Sequence, residues 1–455
     1  MIIKGGFMKE AISCNQKEFF SDCDSGTIQN AIEAAIKDGC RKVVIPRYNL
    51  RTNKNEWRIS KAIEIPSNMT LFLDNCYMVQ ETGVMDNMFK NSLAHAEHRT
   101  KETEQHDISI IGVGNVCISG GVHNGLLERN SQRYGLPGIL KNNLFYWVNV
   151  RNLRVENLHI EHQRHWAMTH IFCEYVILKN LDFYAVPHVP NMDGIDLRIG
   201  CNHFEIENIT GRTGDDTIAM TAMLGVIEKD AFVQGKPTDI CDVNIKNVLS
   251  DPFRMINVRI LNQDGNKVHD IHIDTIMDTS DYATKAKGIA PVSVGTQGLL
   301  YVQVCRAKQE DTKNIHVRNI YTRASMAVRF DDVCSDSTFT NLKMFNTCFL
   351  GLSTSGFGTS LKNVTVDSIY CGSMKTDAQR GRVDGYTPTT IVSLPMTKGD
   401  LVARNIYTDG IEYLCNAEAE LNVKFENCST EGINKICERS GKTKMTINGK
   451  EYKGD

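Results

Sequence analysis

The sequence predicts an all-β fold of the solenoid type, a parallel β-helix. Short β-rich runs with alternating apolar residues recur along the chain, each closed by a turn. Many share one local shape, a polar pair followed by apolar-x-apolar-x-Asn-apolar, as in "NVRNLRVENLHI" and "CNHFEIENIT". The first intervals between the recurring Asn are 23 and 28 residues, and a period in the twenties with one β unit per repeat is typical of a solenoid. The recurring positions are Asn157, Asn180, Asn208, Asn247 and Asn319, with Thr275 and Ser368 in two further copies.

A leucine-rich repeat has a similar period, but it needs leucines at fixed offsets and a helix in each unit. The runs here are rich in Val and Ile, and no repeat contains a helical stretch. We therefore expect parallel strands stacked about 4.8 Å apart. An Asn at each turn could then hydrogen-bond the Asn of the coils above and below.

The segment before the repeats predicts a helix that caps the first coil. "SGTIQNAIEAAIKDGC" places apolar residues at helical spacing over 27–38, with Ser25 and Thr27 as cap candidates and Gly39 as the end. The strand "RKVVIP" follows. We predict one β-helix domain over 1–455, with the cap helix and first strand at 25–46 and the main coils at 109–430.

Composition limits the classes of partner and the compartment. The chain has 455 residues, a formal net charge of −3, 41% apolar and 23% charged residues, which gives no electrostatic footprint for nucleic acid. We expect no membrane partner, because no apolar run reaches about 18 residues. The N-terminus does not resemble a secretory signal. The 15 cysteines form no CxxC motif, so we expect reduced thiols, a cytoplasmic protein, and no metal site or cofactor. The oligomeric state is not indicated.

Three aspartates return at a spacing close to this period. Asp193 and Asp215 are 22 residues apart, and Asp216 follows directly. If one coil takes about 22 residues, Asp193 and Asp215 occupy the same position on neighbouring coils, about 5 Å apart, and Asp216 points the other way. Carboxylates this close repel each other, so at least one should have a raised pKa, as the general acid of a glycosidase requires.

Two other interpretations of the aspartates stay open on spacing alone. One is a solvated acidic ridge. The other is a calcium site, because hard cations bind clustered carboxylates, and such a cation could serve a lyase.

The same residues carry a resemblance to a known family. Asn191-Met192-Asp193 is similar to an N-T-D motif, Gly214-Asp215-Asp216 to a G-D-D motif, and Arg259-Ile260-Leu261 to an R-I-K motif. "IGVGNVCISGG" and "QRHWAMTHIFCEYVILKNL" also match, in order. Over most of 25–330 the chain resembles the polygalacturonases of glycoside hydrolase family 28. The resemblance implies a right-handed β-helix and an inverting hydrolase.

By the matched motifs, Asp215 would be the general acid. Asp193 and Asp216 would together activate the water, and Arg259 would contact the sugar beside the cleaved bond. We also predict that Asn191 and His188, close to Asp193 in sequence, contact the substrate.

The sequence departs from the family motifs at two residues that would set substrate specificity. The family's G-H-G histidine is missing from "FVQGKPTDICD", where we expected it, and Leu261 replaces the R-I-K lysine. Losing that cation weakens recognition of an acidic sugar. We predict a hydrolase of plant-derived, pectin-like oligosaccharides, with a substrate other than plain homogalacturonan. The alternatives are another carbohydrate-active enzyme on the same scaffold, of lyase, glycosyltransferase or fructotransferase type, or a non-catalytic carbohydrate-binding β-helix.

Overall fold

The structure is a computed structural model of the chain. It describes residues 10–121, 142–186, 191–253, 255–263, 265–280, 291–294, 307–322, 324, 326–344, 359–371, 390–408, 410–438 and 440–453. None of the helices in these ranges is both long and apolar enough to cross a membrane.

The strands stack almost entirely in parallel, in three sheets. Sheet 1 follows the order Ile12–Ser13, Lys42–Pro46, Met69–Asp74, Gln105–Val113, Val150–Glu161, Glu174–Tyr184, Asn202–Thr213, Ile240–Pro252, Val268–Asp278, Thr312–Thr322, Val333–Met344, Thr359–Cys371, Thr397–Thr408, Leu421–Cys428, Lys444–Ile447, and ends on antiparallel Lys450–Tyr452. A side column of the same sheet holds Trp57–Ile59, Tyr77–Gln80 and Cys117–Ser119.

Sheet 2 forms a second face of the coils and carries the residues of interest for function. Its strands are Ile63–Ile65, Phe89–Asn91, Phe145–Val148, Met168–Ile171, Ile195–Leu197, Ile218–Ala222, Val258–Asn262, Val292–Val294 and Val328–Phe330. Sheet 3 holds Thr390–Ser393, Ile411–Asn416 and Ile433–Cys437. The predicted parallel β-helix is confirmed, and its coils extend beyond both ends of 109–430.

The core runs through the middle of the coils. Strands of sheet 1 alternate buried apolar residues with more exposed polar ones, as in Glu174–Tyr184. The inward residues of successive coils join one apolar cluster that extends from Cys14 to Met445. Alternation fixes which side chains face outward, and hence which can reach a ligand.

The recurring Asn residues form the ladder that the repeats predicted. Asn180 Nδ2 donates to Asn157 Oδ1 at 2.7 Å, and Asn208 Nδ2 donates to Asn180 Oδ1 at 2.9 Å. Asn247 continues the ladder onto Asn208 at 3.0 Å. All four have a left-handed backbone, with φ between 54° and 61°, a conformation that Asn tolerates better than most residues.

Replacing Asn208 with Ala should lower the free energy of unfolding by about 1–2 kcal/mol. The variant loses two ladder hydrogen bonds and places a Cβ-bearing residue without a local hydrogen bond at φ 58°. Urea unfolding would measure the loss. Asn208→Gly is the matched control, because it removes the ladder but suits the backbone. A loss for Asn208→Ala below about 0.5 kcal/mol would contradict the ladder's role.

The cap helix α1 spans Asp24–Asp38 and packs against the first strands. It begins three residues earlier than predicted, with Cys23 as N-cap, because Cys23 Sγ accepts a hydrogen bond from the Gly26 N–H. The cap candidate Ser25 instead accepts the N–H of Ser60 at 3.0 Å, which holds the next turn against the helix. Gly39 ends the helix in the left-handed conformation, as predicted.

Candidate active site

One row of side chains points outward from sheet 2. Strand pairing places these residues side by side on successive coils: Thr169, Asp196, Ala219, Arg259, Ser293 and Arg329. Their strand neighbours, such as Ile195 and Leu197, belong to the core, so the row faces away from it. Its members are nevertheless buried, so the row is covered rather than open to solvent.

The three predicted catalytic acids meet at one end of these strands. One oxygen of each of Asp193, Asp215 and Asp216 lies within 4.8 Å of an oxygen of the other two. Asp193 and Asp216 are buried, whereas Asp215 is partly exposed. Asp215 is fixed by two backbone N–H donors, Asn191 to Oδ2 at 3.1 Å and Asp216 to Oδ1 at 3.0 Å. The structure thus brings Asn191 and all three acids together.

The alignment of the acids differs from the prediction by one residue. Ile195 pairs with Ile218, an offset of 23 residues, and the Gly194 N–H donates to the Asp216 carbonyl at 3.0 Å. Asp216 rather than Asp215 therefore lies in line with Asp193. The predicted match of Asp193 with Asp215 was wrong because strand pairing, not the repeat count, sets the offset.

Arg259 lies on the coil that directly follows the G-D-D motif, where Ala219 pairs with Arg259. Its Nε is 2.8 Å from Asp216 Oδ2, and both side chains are buried. Burial opposes the charge on Arg259, but Asp216 and the neighbouring acids outweigh it and raise the pKa of Arg259 above its usual range. Arg259 is therefore a permanent cation within the acidic cluster.

Burial is the main cause of the raised pKa values in the cluster. It raises the pKa of Asp216 to about 7, against the lowering effect of Arg259. It also raises the pKa of Asp193, and repulsion from Asp196, Asp215 and Asp216 adds to the effect. The sequence predicted a raised pKa from crowding, whereas burial is the larger cause for Asp193 and Asp216.

Asp196 is a fourth acid that the sequence reasoning missed. It is fully buried, and neither carboxylate oxygen has a hydrogen-bond partner among the described residues. Arg198 Nη1 is 4.0 Å away. Burial raises the pKa of Asp196 to about 8, although Arg198 and Arg259 lower it. The sequence did contain a signal for it. In "IDL", Asp196 stands between two apolar residues of a short strand, and alternation predicts that its side chain faces away from the core.

The segment 222–238 packs beside the site through helix α2, Val226–Asp230. Glu228 in this helix accepts a hydrogen bond from Arg198 Nε at 2.5 Å, and both are buried. The Arg198 guanidinium also lies 4.7 Å from the centre of the Trp166 ring. The insertion thereby holds Arg198 next to Asp196.

The position expected for the G-H-G histidine was wrong. "FVQGKPTDICD" is not part of sheet 2: Lys236 in this segment pairs with Glu104 and Glu174, and sheet 1 resumes at Ile240. The coil after G-D-D re-enters sheet 2 at Val258. There the Ile256 N–H donates to Asp216 Oδ1 at 3.1 Å. Isoleucine, not histidine, therefore lies next to Asp216. His188, predicted to contact the substrate, lies outside the described residues.

Asp196→Asn should raise the free energy of unfolding at pH 8 by at least about 1 kcal/mol, since one pKa unit corresponds to about 1.4 kcal/mol. The pKa of Asp196 is about 8 in the folded protein against 3.8 as a reference. The folded state therefore binds the extra proton between these values, and its stability falls as pH rises through that window. Urea unfolding at pH 5 and pH 8 would show a larger gain at pH 8. Equal gains at both pH values would contradict the argument. The exposed Asp242→Asn is the control.

Comparison with known proteins supports the family resemblance. Residues 58–236 match the model of glycosyl hydrolases family 28. A "probable polygalacturonase" of Arabidopsis thaliana is 29% identical over 137 residues. That alignment covers 29% of this chain and 27% of the relative, so it spans about a quarter of the relative's length.

Solved structures were also compared with this chain, and one with a TM-score above 0.5 shares its fold over nearly the whole length. The tailspike protein of E. coli bacteriophage HK620, a mutant in complex with a hexasaccharide, has a TM-score of 0.57 at 11% identity, covering 96% of this chain and 80% of that one. The family 28 exopolygalacturonase of Yersinia enterocolitica has a TM-score of 0.47 at 12% identity, and the alignment covers 96% of this chain and 77% of that one.

The predicted right-handed parallel β-helix is therefore confirmed. The match at 58–236 contains Asn191 and the four acids and ends before Arg259. The resemblance inferred from the sequence motifs is confirmed as well: over residues 58–236 this chain is similar to glycosyl hydrolases family 28, and its acidic cluster lies inside the matched region.

Proposed function

We propose that the protein is a glycoside hydrolase that cleaves O-glycosidic bonds in plant-derived, pectin-like oligosaccharides with inversion. The supporting observation is the cluster of Asp193, Asp215 and Asp216, with carboxylate oxygens within 4.8 Å of one another. Hydrolysis of a glycosidic bond needs one protonated carboxyl group for the leaving oxygen and a carboxylate for the water. A cluster of unequal burial can provide both.

The unequal burial suggests the roles. Asp215 is partly exposed, whereas the other two acids are buried, so it can reach the glycosidic oxygen as general acid. Asp193 and Asp216 lie deeper, in line on adjacent coils, and hold the attacking water between them. The Ile256 N–H and Arg259 both bind the Asp216 carboxylate, which favours its ionised form and hence its action as a base.

The ion pairs of the site arginines indicate whether the bound sugar is charged or neutral. Each described arginine of the site is already paired with an acid: Arg259 with Asp216 at 2.8 Å, Arg198 with Glu228 at 2.5 Å, and Arg329 with Asp331 at 2.8 Å. A galacturonate carboxylate binds best to a cation that it neutralises itself. We therefore propose that the sugar beside the cleaved bond is neutral, and that Arg259 contacts it through N–H groups that Asp216 does not occupy.

The test is to incubate the purified protein with pectin-derived oligosaccharides that carry either neutral sugars or galacturonate at the cleaved position. We expect products heavier by one water, released from the neutral-sugar substrates. NMR of the first product would show an inverted anomeric centre. Unsaturated products that absorb in the ultraviolet would identify a lyase instead. Binding without turnover over many hours would identify a carbohydrate-binding β-helix, and either result would overturn the proposal.

A further inference from the structure

Three metal-ligand side chains meet on the outer face of sheet 1. Atoms of Cys117, His159 and Glu161 that can bind a metal lie within 4.8 Å of one another. All three are partly buried. Cysteine, histidine and glutamate are the donor types that Zn²⁺ takes in proteins.

Strand pairing creates this cluster. Cys117 pairs directly with His159 on the neighbouring strand, and Glu161 follows two residues later on the same face. Ile118 and Ile160, between these positions, lie in the core, so the three ligand side chains point outward together. Cys117 and His159 are 42 residues apart in sequence, which is why motif spacing did not indicate a site.

His159 is oriented by a second carboxylate. Its Nδ1 is 2.7 Å from Asp182 Oδ2, on the next strand. An Nδ1–H donated to Asp182 leaves the lone pair on Nε2, which lies 3.7 Å from Glu161 Oε2. A ligating histidine is commonly fixed in this way, with its other nitrogen bound to a carboxylate. Asp182 would thus be a positioning residue that does not bind the ion itself.

We propose that Cys117, His159 and Glu161 form a binding site for one divalent ion of the zinc class, with a fourth position left for water. A surface cavity of about 690 Å³, which Cys117, His159 and Asp182 help to line, lies beside the cluster and can admit an ion and its water. The site ties strand Cys117–Ser119 to strand Val150–Glu161. It lies on sheet 1, whereas the acids of the candidate active site lie at the strands of sheet 2, so the metal site does not depend on the proposed hydrolysis.

The test uses the full chain stripped of metal by a chelator and titrated with Co²⁺. We expect saturable binding of one ion with a thiolate-to-cobalt absorption band in the near ultraviolet, and displacement of the band by Zn²⁺. Calorimetry of Zn²⁺ binding to the stripped chain should give a stoichiometry of one ion per chain.

Variants test two of the proposed ligands and the positioning residue separately. Cys117→Ser should abolish the absorption band, and His159→Ala should weaken Zn²⁺ binding at least about 10-fold. Asp182→Asn should weaken it about 10- to 100-fold while the band persists. Cys241→Ser is the matched control, because Cys241 is a partly buried free thiol opposite His269 on the same sheet.

Circular dichroism and thermal unfolding without metal would show that each variant is folded. His159 is more than a third exposed, so its replacement should be tolerated. The proposal is overturned if no cobalt band forms, if Cys117→Ser leaves the band unchanged, or if Cys241→Ser removes it.

Discussion

Replacing Asp215 with Asn should lower kcat on a reactive oligosaccharide by about 10²–10⁴-fold, the usual contribution of general acid catalysis. Asn keeps the size of the side chain, and its carbonyl oxygen can still accept the N–H of Asn191. It cannot donate a carboxylic proton to the leaving oxygen. Reducing-end release with a substrate identified by the product assay would measure the loss.

An activated aryl glycoside, used as a second substrate, separates the loss of the general acid from other effects of the substitution. Its leaving group departs without a proton, so Asp215→Asn should lose much less activity on it than on the oligosaccharide. Asp242→Asn is the matched control, because Asp242 is exposed and has a φ of 53°, which Asn tolerates. Activity of Asp215→Asn within twofold of the parent on the oligosaccharide would exclude Asp215 as the general acid.

Replacing Arg259 with Met should lower the free energy of unfolding by about 3–5 kcal/mol at pH 8, the usual cost of leaving a buried charge without its partner. Arg259 lowers the pKa values of Asp193, Asp196 and Asp216, which burial raises. Without it, these pKa values rise further, and each acid costs more to ionise. Urea unfolding at pH 5 and pH 8 would measure the effect.

The sign of the pH dependence of this stability loss follows from the raised pKa values of the acids. Below the folded pKa of about 7 for Asp216, the carboxyl group is largely protonated and needs no cation, so the loss should be smaller at pH 5. Arg259→Lys retains the charge and should lose less than Arg259→Met. Adding Asp216→Asn to Arg259→Met should restore part of the stability at pH 8. A loss for Arg259→Met that is the same at both pH values would rule out this electrostatic explanation.

The sequence by itself determined the architecture and most members of the acidic cluster. The period of the β units predicted the coils, because each unit must bury its apolar face against the next one. The recurring Asn of 157, 180, 208 and 247 predicted a ladder, since identical positions stack in a solenoid. The spacing and motifs around Asp193 and Asp215 indicated a shared site. These are local or periodic properties, and a periodic fold repeats them at every coil.

Only the tertiary structure decided the relations between coils. Hydrogen bonds between strands place Asp216, not Asp215, in line with Asp193, because the offset depends on how many residues each turn takes up. The burial of Asp196 depends on which segments cover sheet 2, and a local sequence pattern does not indicate these segments. Arg259 lies on the coil after G-D-D because the intervening segment forms α2 and a strand of sheet 1. The same pairing brings Cys117 beside His159. Sequence spacing cannot indicate such contacts, since loop length between coils is free while strand register is fixed by hydrogen bonds and by alternation of the core.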